Sequence, residues 1–282
     1  MKLLVLKICL LSLLANLSCN DNNGKMIPER NKVVLEEELP KHLSSQHFEY
    51  YMSQGDSVDT VFQEKYFNWL INELAVNVNE KIILYKFKDK KQMLKLTGIA
   101  FKGYYIPGTN SINIVCSSDN HECVHALVSK YMGMPPAFFN EGIAVAHQAS
   151  LINSQFVLLC GDFDFHLESK YYLKNGRIPE LMRFLSNSTF LQTDELIRYP
   201  VAGSFTRYLI DTYGIKKLKD FIMICSCMND LQEISDKFLF VYNRPIDKAW
   251  SEWEVFLRNY NNSRDLDKFY SDLLSHLKER NK

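Results

Sequence analysis

The residues with the most chemical content are His121, Glu122 and His125, in the stretch His121-Glu122-Cys123-Val124-His125. On an α-helix, at about 100° per residue, His121 and His125 share one face about a turn apart. Two imidazoles so placed can hold one zinc ion. Glu122 falls about a quarter-turn round the helix, within reach of a water at the metal without being a ligand itself. Cys123 falls about 200° from His121 and so points inward. The competing account is an ordinary helix that carries two histidines, and the rest of the chain must decide between them.

A catalytic zinc takes three protein ligands and keeps one position open. Glu141 is the candidate third ligand. Fifteen residues separate it from His125. That is enough for the first helix to end, turn at Pro135-Pro136, and send back a second helix that starts at Ala137 or Phe138. Glu141 falls in the first turn of this helix, and Gly142 beside it lets the two helices approach closely. Taken alone, a glutamate there reads as a solvated side chain near a helix start, where acidic residues are common. The other histidines have weaker claims. His147 sits six residues after Glu141, about 120° off its face, and His42, His47, His166 and His276 have no ligand spacing. Cys116, five residues before His121, reads as a core cysteine at a strand end.

The elements that position these groups follow from apolar spacing. Residues 45–52 (SQHFEYYM) suit a first strand. Asp56-Ser57 opens a helix carrying Val61, Phe62, Tyr66, Phe67, Leu70, Ile71 and Leu74 at helical spacing. Residues 81–87 (KIILYKF) suit a second strand, and 89–96 a short helix. Residues 98–116 read as two strands around Ile106-Pro107-Gly108-Thr109-Asn110, and the second arm, 111–115, leads straight to the metal helix. That arm reads as an ordinary paired strand. Between 150 and 173 the pattern is weak, and 155–160 suits a strand or part of a helix. From Pro179 the pattern is helical, over 179–186, 200–213, 215–226, 229–237, 245–259 and an amphipathic tail at 264–280, with Gly214 as a helix stop. The fold class is therefore α+β: a small mixed β-sheet with helices N-terminally, a zinc-binding helix pair, and a mostly helical C-terminal half. The divisions are a leader at 1–19, a linker at 20–44 with a short helix at 33–38, a small α/β sheet subdomain at 45–118, a helical subdomain at 119–260, and a C-terminal amphipathic helix at 261–282.

The chain has 282 residues, 46% hydrophobic and 23% charged, which suits a globular protein with a sizeable core. Lys+Arg 33 balance Asp+Glu 33, so no basic excess favours a nucleic-acid partner. The apolar run from Leu3 to Leu17, behind Met1-Lys2, is too short and too interrupted for a membrane span and suits an export signal. Leu17-Ser18-Cys19 resembles a bacterial lipoprotein cleavage site, with ordinary signal cleavage as the alternative. Lipidation of Cys19 would be the protein's only membrane attachment, with Asn20-Asp21-Asn22-Asn23-Gly24 as a flexible tether. The expected location is then the bacterial cell envelope, as a periplasmic or outer-membrane lipoprotein. Outside the leader, five cysteines remain, without paired C-x-x-C spacing. They form neither a disulfide framework nor a thiolate zinc site, and most suit buried apolar positions.

H-E-C-V-H followed by F-F-N-E-G-I-A resembles the gluzincin zinc metallopeptidases of the peptidase MA clan, in which a W-x-N-E-G-x-A-like segment supplies the third ligand. Residues 199–214 (YPVAGSFTRYLIDTYG) are similar to the helix after the active site in bacterial peptidase MA-like proteins, and 253–257 (WEVFL) to their closing helix. Together these cover roughly residues 45–258. The resemblance implies one Zn2+ on His121, His125 and Glu141. It implies a peptide or protein substrate, with hydrolysis by a zinc-activated water and Glu122 as general base. It also implies a tyrosine that steadies the developing oxyanion. Tyr199 stands at that place, and reads otherwise as a core aromatic at a helix start. In the peptidases that the chain resembles, an edge strand at the place of residues 111–115 pairs with an extended substrate, which is the alternative to an ordinary paired strand there. Two features depart from the clan's aminopeptidases: the spacing to Glu141 is shorter, and no G-x-M-E-N segment is present to grip a free N-terminus. Both argue against aminopeptidase activity and leave hydrolysis open. Two other expectations stand beside this one. One is a non-catalytic lipoprotein that binds an envelope partner; the other is a zinc hydrolase acting on something other than peptides.

Overall fold

The aromatic and β-branched stretches of the first half pair into one five-stranded mixed sheet. The computed structural model describes residues 29–160 and 163–261; the leader, Cys19 and the tail at 264–280 lie outside them. The strands are β1 (Lys41–Ser44), β2 (Phe48–Met52), β3 (Ile82–Lys86), β4 (Gly103–Ile106) and β5 (Ser111–Ile114), in spatial order β1-β2-β3-β5-β4. The middle three run parallel, and β1 and β4 are antiparallel to their neighbours. Register sets Tyr50 beside Leu84 and Leu84 beside Ile112. One face therefore carries Phe48, Tyr50, Met52, Ile82, Leu84, Ile112 and Ile114 into the larger core. The other face carries Tyr85, Phe87 and Tyr104 into a smaller core that also holds Leu35, Leu39 and Met93.

Helix α1 (Glu29–Glu38), which supplies Leu35, precedes β1. Residues 29–44 are thus structured, where the sequence suggested a linker with a short helix. β1 is a short, largely exposed edge strand with no apolar alternation to reveal it. Helix α2 (Thr60–Leu74) starts later than Asp56 suggested, because Asp59 is its cap: its side chain accepts the Phe62 N–H. Tyr66, Phe67, Leu70 and Leu74 face the larger core at helical spacing. Helix α3 (Lys90–Thr97) is capped by Asp89 and ends at Gly98 in the left-handed conformation, φ 77°, a usual stop. Of the two alternatives left open for residues 111–115, the ordinary paired strand holds: β5 lies inside the sheet, and the edge is β4.

The second half begins with the antiparallel pair α4 (His121–Tyr131) and α5 (Ala137–Ala146). A hairpin of β6 (Ala149–Ile152) and β7 (Gln155–Leu158) follows, turned by Asn153 and Ser154, both at positive φ, as a two-residue hairpin turn requires. The remaining helices are α6 (Phe165–Lys174), α7 (Leu181–Leu185), α8 (Asn187–Gln192), α9 (Glu195–Tyr213), α10 (Ile215–Ile224), α11 (Leu231–Tyr242) and α12 (Ile246–Asn259). Helix α6 falls in the stretch with no clear pattern. Helix α9 starts five residues before Pro200, at which the sequence suggested a helix start. A proline so near the N-terminus gives up one backbone bond, to Leu196, and Asp194 caps the first turn by accepting the Leu196 N–H. The core of this half is aromatic: Phe138 packs against Phe184, Phe190, Phe205 and Trp250. Among the described residues no helix is long and apolar enough to cross a membrane.

Candidate metal centre

Helix α4 carries both histidines with their rings nearly perpendicular, centroids 4.7 Å apart. The turn between α4 and α5 at Pro135-Pro136 brings Glu141 back over them from the second turn of α5. His121 Nε2 lies 3.1 Å from Glu141 Oε2 and 3.1 Å from His125 Nε2, and His125 Nε2 lies 3.6 Å from the same carboxylate oxygen. Two nitrogens and one oxygen thus converge. A tetrahedral ion with bonds of about 2.0–2.2 Å needs donor atoms about 3.3–3.6 Å apart, and the three separations lie within about 0.2 Å of that range. These residues could hold a metal ion. Burial works against the charge on Glu141, but His125 and His121 outweigh it and hold that carboxyl well below its ordinary range. The carboxylate in turn lifts His121 against the effect of its own burial.

Glu122 is held from two sides. Asp119 Oδ1 accepts the Glu122 N–H at 2.8 Å and so caps the helix; Asn120, between them, instead sends its amide to the Ala149 carbonyl. From above, the Tyr105 backbone amide reaches the Glu122 carboxylate. Tyr105 is on the edge strand. Val115 N–H donates to Lys102 O, and the antiparallel alternation from that bond leaves the polar groups of Gly103 and Tyr105 facing outward. Burial first, and the nearby Asp119 charge second, push Glu122 up to about 8. Asp119 is likewise raised by burial.

Tyr199, in the second turn of α9, sets its ring edge-on to His121 with centroids 6.0 Å apart. Burial and the Glu141 charge raise its hydroxyl well above the ordinary value, so it stays a neutral donor. Beneath it the buried Arg198 guanidinium lies 5.0 Å from the ring centre and donates to the Leu191 and Thr193 carbonyls. Close packing of α5 on α9 brings Tyr199 and Glu141 together. A Cβ on Gly142 would lie 2.8 Å from the Ala202 carbonyl oxygen, and one on Gly203 would lie 2.3 Å from Val145 Cγ1. Gly142 therefore clears α9, where the sequence pointed to α4.

No family model matches the chain, and no curated protein matches it. The structure brings His121, Glu122, His125, Glu141 and Tyr199 into one place. His147 stays apart, buried at the end of α5 against the Ile143 carbonyl, and burial lowers it to about 4. His166 is buried against Ser204. Cys123 is buried, as its angle on the helix required, whereas Cys116 is exposed and not in the core. Its strand ends at Ile114, and the connection to α4 carries Cys116 out to the surface. Asp119, Gly103 and Arg198 escaped the sequence reading. For Asp119 a signal existed: Asp119-x-x-Glu122 has the spacing of a helix cap followed by an acidic third residue.

Proposed function

We propose that the protein is a zinc metallopeptidase of gluzincin type. In this reading His121, His125 and Glu141 hold one Zn2+, and Glu122 is the general base. The observation that carries it is the convergence of three donor atoms beside a buried carboxylate, under an open sheet edge. Bound zinc supplies Lewis acidity, which polarises a peptide carbonyl and makes water a better nucleophile. Glu122, made more basic by burial and by Asp119, takes the proton from the attacking water and passes it to the leaving amine. Tyr199 donates its hydroxyl hydrogen bond to the oxyanion. The outward N–H and C=O of Gly103 and the C=O of Tyr105, whose N–H is taken by Glu122, pair with an extended peptide. Export through residues 1–19, and attachment through Cys19, would place this activity in the cell envelope.

The test is zinc stoichiometry on the purified protein together with a peptide-library screen, run in parallel on Glu122→Gln. One zinc per chain is expected, with cleavage that falls at least a hundredfold in the variant, the lower range for losing a positioned base being about 10². Full zinc occupancy without any Glu122-dependent cleavage would make the protein a binder of peptides or envelope partners. Failure to bind zinc would remove the metalloenzyme reading.

A further inference from the structure

Gln63 has no part in the chemistry above. It sits on α2, behind the metal helix, with 1% of its surface exposed. Every polar group of its carboxamide is nonetheless engaged. Oε1 accepts the Asp119 N–H at 3.0 Å. Nε2 donates to the Asp119 carbonyl at 3.1 Å and to the Cys123 sulfur at 3.1 Å. One side-chain amide thus takes up both backbone polar groups of Asp119, as a paired strand would, where no strand lies.

The constraint passes forward. Asp119 Oδ1 holds the Glu122 N–H, so a chain of hydrogen bonds runs from α2 through Asp119 to the base. On the opposite side the edge strand closes in. A Cβ at Gly103 would stand 2.6 Å from Asp119 Oδ2 and 3.0 Å from Glu122 Cγ. Asp119 and Glu122 are therefore packed between Gln63 behind and β4 in front. The histidines depend less on this clamp. They are set by the rest of α4, whose Val124, Leu127 and Val128 are buried in the larger core. An apolar side chain would fill the place of Gln63 without the cost of burying an amide, which is tolerable only when each polar atom is bonded.

We propose that Gln63 is a positioning residue for Glu122. It fixes the peptide at Asp119, and through it the start of the metal helix, so that the base meets its water in one geometry. This inference rests on the peptidase reading. Its signature is a loss of turnover without a loss of metal.

The test uses the full protein with Gln63→Met, which keeps the side-chain length and apolar packing and removes the amide. The readouts are zinc content, Tm, peptide hydrolysis, and hydrogen exchange at the amides of residues 119–122. The expected result is a kcat roughly ten- to a hundredfold lower, the scale of a misplaced reacting group. KM should stay within about twofold, one zinc should remain, and exchange should quicken at 119–122. Asp119→Ala should then be non-additive with Gln63→Met, because both break one chain of bonds. A kcat within about twofold of wild type, or additive losses in the double variant, would overturn the proposal. So would zinc content and kcat falling together. If Gln63→Met does not fold, Gln63→Leu carries the same test, since it also removes the amide and stays apolar. A wild-type protein that cleaves no peptide would sink the peptidase reading separately. In that case unchanged exchange at 119–122 in the variant would still refute the clamp.

Discussion

Replacing Gly142 with alanine should weaken both the fold and the proposed metal site, by an amount that follows from the α5–α9 contact. The added Cβ would stand 2.3 Å from Thr206 Oγ1, 2.8 Å from the Ala202 carbonyl oxygen and 3.2 Å from the Ala202 carbonyl carbon. The Thr206 hydroxyl is buried without a hydrogen-bond partner, so it can rotate aside and break nothing. The Ala202 carbonyl is backbone inside α9 and cannot. Restoring ordinary contact separates the helices by about half an ångström. Overpacking of this kind costs about 1–3 kcal/mol, and alanine's better helix propensity returns up to about 1 kcal/mol. With mid-range values, about 2 kcal/mol lost and about 1 returned, the net loss is about 1 kcal/mol, or roughly 2–4 °C in Tm for a chain of this size.

Glu141 immediately precedes the substituted position, and metal sites hold their bond lengths to about 0.2 Å. A shift of half an ångström in α5 should therefore lower zinc affinity about tenfold or more, the range seen when the support of a ligand is disturbed. Competition for zinc against a chelator of known affinity measures this, alongside calorimetric unfolding. Adding Thr206→Ala should recover only part of the loss, because the Ala202 contact persists. A Gly142→Ala protein with unchanged Tm and with zinc affinity within about twofold of wild type would refute the claim that the α5–α9 spacing sets the third ligand.

Tyr199→Phe should lower kcat about tenfold or more while leaving zinc content and Tm unchanged, since it removes one hydrogen-bond donor and no packing; unchanged turnover on a cleaved peptide would deny it a catalytic role. Removing the metal with a chelator should lower Tm, and zinc should restore it, because an ion that binds only the folded chain stabilises it by mass action; a Tm that ignores the chelator would count against a structural contribution from the site. His147 is neutral when folded and lowered to about 4 by burial, whereas the unfolded chain takes up the proton near 6.5. Its stabilising share is thus complete above pH 6.5 and is lost as pH falls towards 4, about 3 kcal/mol in all. Buried Glu168, which burial raises, acts with the opposite sign, so the informative quantity is the difference between wild type and His147→Gln in denaturant unfolding from pH 7 to 4; parallel curves would refute the assignment.

The parts of the site visible in the sequence are those governed by helix periodicity. The spacing of His121 and His125 needs only one helix to have meaning. Glu141 needs only that the chain turn once at Pro135-Pro136 and return. Long-range pairing was less legible. Nothing local distinguishes β5 from β4 as the sheet edge, because both are short and apolar, and the choice is made by pairing with β3. Pro200 marks a boundary in most contexts, and only the Asp194 cap and the packing of α9 carry the helix through it. Gln63 lies 56 residues from its partner Asp119, and no spacing rule links an amide on one helix to the backbone before another. Cys116 misled for a related reason: a cysteine beside an apolar strand is usually buried, but this one falls just past the point where the strand ends.

The arrangement of supports also bears on whether the centre is built for chemistry or for stability. A structural zinc site is closed by four protein ligands. Among the described residues only His121, His125 and Glu141 group closely enough to share an ion, which is the three-ligand set that the proposed catalytic reading requires. Glu122, next in sequence to His121, is not in that group. It is fixed instead by its own backbone bond to Asp119 and by the edge strand. A protein that used metal only to tie α4 to α5 would gain nothing from a buried carboxylate raised towards neutrality, since keeping such a group out of water costs stability. The expense is intelligible when that carboxylate must accept a proton. In the proposed reading, the separate anchoring of Glu122 and of the His121, His125 and Glu141 group is what a hydrolytic centre needs and a structural one does not.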